Sequence, residues 1–262
     1  MRNLVNIKII VIKVGTSTLT FDNGSLNLKR IEELVRVISD IKNSGKHVIL
    51  VSSGAIGVGV SRLRLPERPS DVKGKQAAAA VGQCQLMSIY DEFFRRYNQV
   101  VGQVLLTKDV ITNETMHENA INTFDALLNY GVIPIVNEND TVSTYEIMFG
   151  DNDTLSAYVA DIVGADLLIM LTDIDGLYDK NPAEPGAKLI STVNEITADI
   201  RKSAGGVGSS RGTGGMATKI MAVEIAANSG AQTIIMDGKS PALIYDVLDG
   251  AEIGTYFNLQ GE

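Results

Sequence analysis

Two lysines and a run of acidic and amide residues could do chemistry together. Lys13 sits at the end of a continuous apolar stretch, Ile7–Val14, and is followed by Gly15-Thr16-Ser17. An ammonium at the end of a buried strand is costly, so its stem either snorkels to the sheet edge or holds the charge there to meet an anion. Lys219 closes the run Gly212-Thr213-Gly214-Gly215-Met216-Ala217-Thr218-Lys219, one turn into a helical pattern. There, N–H donors, a helix dipole and a lysine can converge on one anion. Gly150-Asp151-Asn152-Asp153 opens another helix. One Asp at a helix start is an ordinary cap; three acidic or amide groups in succession exceed capping needs. The turns at Gly15 and Gly54 bring bare backbone N–H groups near a following helix start or loop, where they can cradle phosphate oxygens. Each turn alone is more often a tight connection. Lysines, glycine turns and carboxylates able to orient the lysines are together what phosphoryl transfer needs, since its catalysis is mostly positioning and charge neutralisation.

These residues must be held by something, and the apolar pattern says what. Runs of four to eight apolar residues recur, each followed by a turn and then a helical pattern. Strands are expected at Ile7–Val14, His47–Val51, Val100–Leu106, Val132–Val136, Asp166–Leu171 and Gln232–Met236. Helices are expected over the Ile31–Ile41 pattern ending near Gly45, and over Lys75–Tyr97, Thr112–Tyr130, Asp153–Val163, Met216–Asn228 and Pro241–Leu248. Strands alternating with helices predict an α/β fold with a central, mainly parallel sheet covered by helices. Ligands in such sheets bind at the carboxyl ends of the strands. Four of those ends carry small and polar residues: Lys13-Val14-Gly15-Thr16-Ser17, Ser52-Ser53-Gly54-Ala55-Ile56-Gly57, Asn137-Glu138-Asn139-Asp140, and Thr172-Asp173-Ile174-Asp175-Gly176. Two stretches break the rhythm, a polar hairpin or loop at Thr141–Gly150 and a Gly/Ser-rich loop at Ser203–Gly215. Both suit mobile lids.

Composition removes other classes. The chain has 262 residues, 45% hydrophobic and 21% charged, which is ordinary globular composition. A net charge of −8 and 5% aromatics without tryptophan argue against a nucleic-acid surface. No apolar run approaches the ~20 residues that span a bilayer. The single cysteine, Cys84, excludes an intrachain disulfide and a four-cysteine zinc site and suits a reducing cytosol. Cys84 itself reads as a small packing residue on a helix. His47 and His117 read as structural or solvated, so a Ser-His-Asp arrangement is unpromising. No Walker A loop exists: Gly238-Lys239-Ser240 has Thr233 where the loop needs its first glycine. No Gly-x-Gly-x-x-Gly follows the first strand. No metal-ligating set is assigned.

The five motifs at Lys13–Ser17, Ser52–Ala55, Asn137–Asp140, Gly150–Asp153 and Gly214–Lys219 resemble, in this order, those of the amino acid kinase family. The likeness runs from Ile7 to about Phe257. It implies a three-layer α/β/α sandwich, with one kinase domain over 1–257 and a short tail at 258–262. The Asn-Glu-Asn-Asp turn followed by Gly-Asp-Asn-Asp is similar to members that phosphorylate the γ-carboxylate of L-glutamate with ATP, at the first step of proline synthesis. By that resemblance Lys13 would contact the transferring phosphoryl group, Lys219 the ATP phosphates, and Asp153 would orient both lysines. Gly15 and Gly54 would offer backbone N–H groups. Ser53, Asp140 and Asn152 would hold glutamate, with Gly54 beside them. Thr172, Asp173 and the run Thr213, Gly214, Gly215, Met216, Ala217, Thr218 and Lys219 would line the nucleotide side, and Mg²⁺ would bridge the phosphates. The resemblance also implies a cytoplasmic homo-oligomer, dimer or tetramer, inhibited by proline. Many such members carry a further C-terminal PUA domain, which is not expected here. Ser52 stands where many relatives have Thr. Two alternatives stay open: a family member with another acceptor, and a non-catalytic amino-acid sensor on the same fold. Retention of Lys13, Asp153 and Lys219 disfavours the sensor.

Overall fold

The computed structural model describes all residues except 1, 3, 5, 22, 23, 143–151, 206–214 and 260–262. Much of Thr141–Gly150 and of Ser203–Gly215 therefore lies outside the described residues. Continuous apolar, β-branched runs form strands buried on both faces: β1 (Ile9–Val14), β2 (His47–Ser52), β4 (Val132–Glu138), β5 (Leu167–Thr172) and β7 (Gln232–Asp237). β3 (Val100–Leu106) is a partly exposed edge strand. Two shorter strands, β6 (Thr192–Val193) and β8 (Thr255–Phe257), complete one edge. Among the described residues the sheet order is β3-β4-β2-β1-β5-β7-β8-β6. Every pairing is parallel except β7 with β8. The expected mainly parallel α/β sheet is what forms.

Helices cover both faces: α1 (Thr16–Leu19), α2 (Leu28–Asn43), α3 (Ala55–Leu63), α4 (Val72–Arg96), α5 (Asp109–Thr112), α6 (Glu114–Asn129), α7 (Asn152–Ile162), α8 (Ala198–Ala204), α9 (Met216–Asn228) and α10 (Leu243–Leu248). Alternation along β1 sorts the core into two layers. Ile10, Ile12 and Val14 pack with α2, α4 and α10, whereas Val11 packs with α6, α7 and α9. The period of two puts Lys13 on the same side as Val11, beneath α7 and α9. That placement decides what the lysine meets.

Several expectations need correction. The helix expected over Thr112–Tyr130 is α6, which starts at Glu114 because Asn113 is extended and caps it by accepting from the Met116 N–H at 3.0 Å; the short α5 before it was not expected. Residues 55–63, unassigned from the sequence, form α3. Cys84 is exposed on α4 rather than packed. Its neighbour Gly82 makes the close contact instead: a Cβ there would lie 1.8 Å from the Ala55 carbonyl oxygen. Gly59 is equally constrained, 1.8 Å from the Ala78 carbonyl oxygen. The two glycines let α3 and α4 cross backbone to backbone.

Candidate active site

β1 lies centrally, with β2 and β5 on either side, so the chain reverses its direction of travel across the sheet there. A crevice opens at the carboxyl ends of strands at such a point. The side chains that converge on it fall into a charged half and a neutral half.

In the charged half, Asp153 is fully buried in the first turn of α7 and is gripped by two ammonium groups. Lys13 Nζ lies 2.5 Å from Oδ1 and Lys219 Nζ 2.9 Å from Oδ2. Both lysines are themselves buried. The Thr218 hydroxyl adds a bond to Oδ2 at 3.2 Å. Burial alone would raise the Asp153 pKa, but the charges of Lys13 and Lys219 outweigh it and hold the carboxyl well below its ordinary range. Asp153 is thus a fixed anion and cannot serve as a base near neutrality. Two ammoniums on one carboxylate place fixed positive charge at this edge of the sheet, an arrangement suited to an incoming anion.

Backbone donors surround this cluster. Gly15, Gly54 and Gly215 precede α1, α3 and α9, and none of the three helix starts has a side-chain cap or an acidic residue in its first turn. Their first N–H groups are available to a ligand. Gly54 has φ +101° and needs glycine for its backbone. Gly15 does not: its φ is −82°, and an added Cβ would make only ordinary contacts, 3.7 Å from the Leu171 carbonyl oxygen and 3.9 Å from Lys13 Nζ. The missing side chain leaves space beside the ammonium. Met216 and Ala217 form the first turn of α9 together with Thr218 and Lys219. Thr213 and Gly214 lie outside the described residues.

At the ends of β5 and β7, Thr172 is buried and its hydroxyl donates to the Asp173 carboxylate at 3.1 Å. The Gly238 N–H donates to the Thr172 carbonyl at 2.7 Å. Asp173 is exposed at this edge.

The neutral half begins one residue before Asp153. Asn152 Nδ2 donates to Ser53 Oγ at 3.0 Å, to the Ser52 carbonyl at 3.2 Å and to Asn137 Oδ1 at 2.9 Å. Asn137 Nδ2 donates in turn to Gln83 Oε1 at 2.9 Å. Ser52 Oγ shares a hydrogen bond with the buried Tyr90 hydroxyl at 2.8 Å, and burial pushes that phenol above its ordinary pKa. The network ties the ends of β2 and β4 to α4 and α7.

Asp140 stands just past β4. Asn139, not Asp140, braces the turn, since it accepts from the Thr141 hydroxyl at 2.6 Å. Burial and the nearby Glu138 carboxylate push the Asp140 pKa up to about 6, and Arg68 only partly offsets them. A half-buried carboxylate held in this way is primed for a cation. The structure thus brings Lys13, Asp153, Thr218 and Lys219 into one cluster, and Ser53 and Asn152 into another. Asp140 and Asp173 sit at the same sheet edge without bonding to either. Gln83 escaped the sequence reading; the small-residue run Ala77–Gly82, which lets α4 come close, was its available signal.

Residues 8–237 match the Amino acid kinase family. The chain belongs to that family. It is 57% identical over 255 residues to the glutamate 5-kinase of Clostridium perfringens (strain 13 / Type A), covering 95% of each chain. It is 54% identical over 260 residues to the glutamate 5-kinase of Listeria monocytogenes serovar 1/2a, covering 97% of this chain and 94% of that one. Among solved structures, Giardia lamblia carbamate kinase bound to AMP-PNP matches with a TM-score of 0.69 at 17% identity, over 97% of this chain and 99% of that one. The isopentenyl phosphate kinase of T. acidophilum, in a product complex, matches with a TM-score of 0.66 at 17% identity, over 95% of this chain and 100% of that one. At that identity the two structures show the amino acid kinase fold and no more. Among the described residues no helix is long and apolar enough to cross a membrane.

Proposed function

We propose that the chain phosphorylates the γ-carboxylate of L-glutamate with ATP, giving L-glutamyl 5-phosphate and ADP, the first step of L-proline synthesis. The observation that carries this reading is the buried Lys13–Asp153–Lys219 cluster, in a chain more than half identical to glutamate 5-kinases along nearly its whole length. An oxygen of the γ-carboxylate forms a bond to the γ-phosphorus while the bond from that phosphorus to the bridging oxygen breaks, and ADP leaves with the electron pair. The nucleophile is already ionised at neutral pH, so no base is needed. That agrees with an Asp153 that cannot take a proton.

The resisting force is repulsion between a carboxylate and a polyanion. Lys13 counters the charge on the transferring group, Lys219 counters the nucleotide phosphates, and Asp153 sets the geometry of both. N–H groups at Gly15, Gly54 and the Thr213–Lys219 run receive phosphate oxygens, and Thr172 with Asp173 lines the nucleotide side. Ser53, Gly54, Asn152 and Asp140 hold glutamate, with Asp140 facing its ammonium. Among the described residues no group of three or more His, Cys, Asp or Glu could hold a metal ion. Mg²⁺ would bridge the ATP phosphates and arrive as part of that substrate. The same resemblance supports a cytoplasmic homo-oligomer with proline as inhibitor, on a kinase domain spanning 1–257.

The test is trapping of the acyl phosphate with hydroxylamine, with Mg-ATP and, in separate reactions, glutamate, aspartate and acetylglutamate, each with and without proline, beside ADP release measured with each of these and with UMP. Hydroxamate from glutamate alone is expected, and less of it with proline present. No product from glutamate would sink the reading.

A further inference from the structure

Gln83 lies on α4, and the close crossing of α4 over α3 at Gly82 carries it to the end of β4. We propose that Gln83 is a positioning residue that fixes the polarity of the acceptor site, and so selects a substrate with a free α-ammonium. This rests on the reading above that the acceptor is glutamate.

The polarity follows from two backbone groups that can play only one part each. The Glu138 N–H can only donate, and Asn137 Oδ1 accepts from it at 2.9 Å. The Ser52 carbonyl can only accept, and Asn152 Nδ2 donates to it at 3.2 Å. Both amides are thereby oriented. Asn152 spends its N–H groups on the protein and turns its Oδ1, which no described residue engages, to the ligand. Ser53 Oγ accepts from Asn152, so its own hydrogen remains to be given. The site offers a carbonyl oxygen for a cation and a hydroxyl donor for an anion. Those are the two substituents on the α-carbon of a free amino acid.

Gln83 completes the arrangement. Asn137 is 3% exposed, and its Nδ2 bonds to Gln83 Oε1. Without that acceptor a buried N–H donor is left unmade, which is costly. The Asn137 amide must then shift toward another acceptor while the Glu138 N–H still holds its Oδ1, and the bond from Asn152 is strained. Asn152 loses an anchor, and its Oδ1 is held less firmly toward the ammonium.

The test compares Gln83→Leu, which removes the acceptor, with Gln83→Glu, which keeps one; Gln83→Met replaces the leucine variant if that one does not fold. Hydroxamate rates give KM for glutamate and ATP. Glutarate, the same diacid without the ammonium, is measured as a competitor. For Gln83→Leu the glutamate KM should rise about tenfold. ATP KM, saturated rate and glutarate inhibition should stay near those of the unaltered protein, and Gln83→Glu should restore glutamate KM. A purely packing role predicts equal losses for glutamate and glutarate, and no difference between the leucine and glutamate variants. Either result, or an unchanged glutamate KM in Gln83→Leu, overturns the proposal. An unaltered protein that makes no hydroxamate from glutamate overturns the functional reading, and this proposal with it.

Discussion

Asn152 and Asp153 are neighbours in the first turn of α7, yet they serve opposite halves of the site. Asp153 belongs to a buried ionic cluster in which two ammoniums grip one carboxylate. Asn152 belongs to a network of amides and hydroxyls that carries no net charge. The difference matches the work proposed for each. Charge moves where a phosphoryl group is transferred, and fixed ammoniums acting on it contribute more in the transition state than in the ground state. Nothing moves where the amino-acid end is held, and there oriented neutral groups discriminate by leaving a wrong partner unpaired. Two carboxylates show the same contrast. Lysines hold Asp153 far below its ordinary pKa, whereas burial beside Glu138 lifts Asp140 to about 6.

The contrast breaks first at Asp153. Asp153→Ala leaves two buried ammoniums facing each other, and removing one partner of a buried pair typically costs about 3–5 kcal/mol. Denaturant unfolding should show that loss. In Asp153→Asn, which keeps the shape, the saturated rate should fall while glutamate KM stays close to its original value. A large rise in glutamate KM would mean that the two halves are not separable.

Asp140→Ala should act the other way, raising glutamate KM and sparing ATP KM. Loss of a charge-assisted hydrogen bond of about 1.5–3 kcal/mol corresponds to roughly 10- to 150-fold in affinity. A variant that loses thermal stability and keeps its glutamate KM would remove Asp140 from the substrate site. Measuring both on one preparation decides.

A smaller effect comes from pH. With a pKa of about 6, Asp140 is protonated below that value and no longer counters an ammonium. Glutamate KM should therefore rise about tenfold by pH 5, while the saturated rate holds because Asp153 stays ionised. Asp140→Asn should flatten the profile. The stability signs differ as well. Asp153, with its folded pKa depressed, contributes stability that is present above its ordinary pKa of 3.8 and lost as pH falls through the folded value. Asp140, with its folded pKa raised, favours the folded state in acid and loses that contribution as pH climbs from 3.8 towards 6.

How much of this was legible depended on the residue. Lys13 and Lys219 stood out because a charge at the end of an apolar strand, or after a glycine run, breaks a local pattern. Long strands were legible as continuous apolar runs, and amphipathic helices such as α2 by period. Helix α3 was not, since Ala-Ile-Gly-Val-Gly-Val carries two glycines that disfavour a helix; its form comes from the tertiary contact of Gly59 with α4. β6 and β8 are two and three residues long, too short for a period to register. Gln83 looked like any polar helix residue, because what it does depends on Asn137, 54 positions away.

The central claim, that the charged half acts on the transferring group and the neutral half on the substrate, is tested most directly by Lys13→Ala. The rate of hydroxamate formation at saturating glutamate and Mg-ATP should be measured beside calorimetric binding of glutamate. Loss of one preorganised donor to developing charge costs about 10²- to 10³-fold in rate. The account predicts a fall of that order with glutamate affinity nearly unchanged. An unchanged rate, or a loss seen only in glutamate affinity, would contradict it.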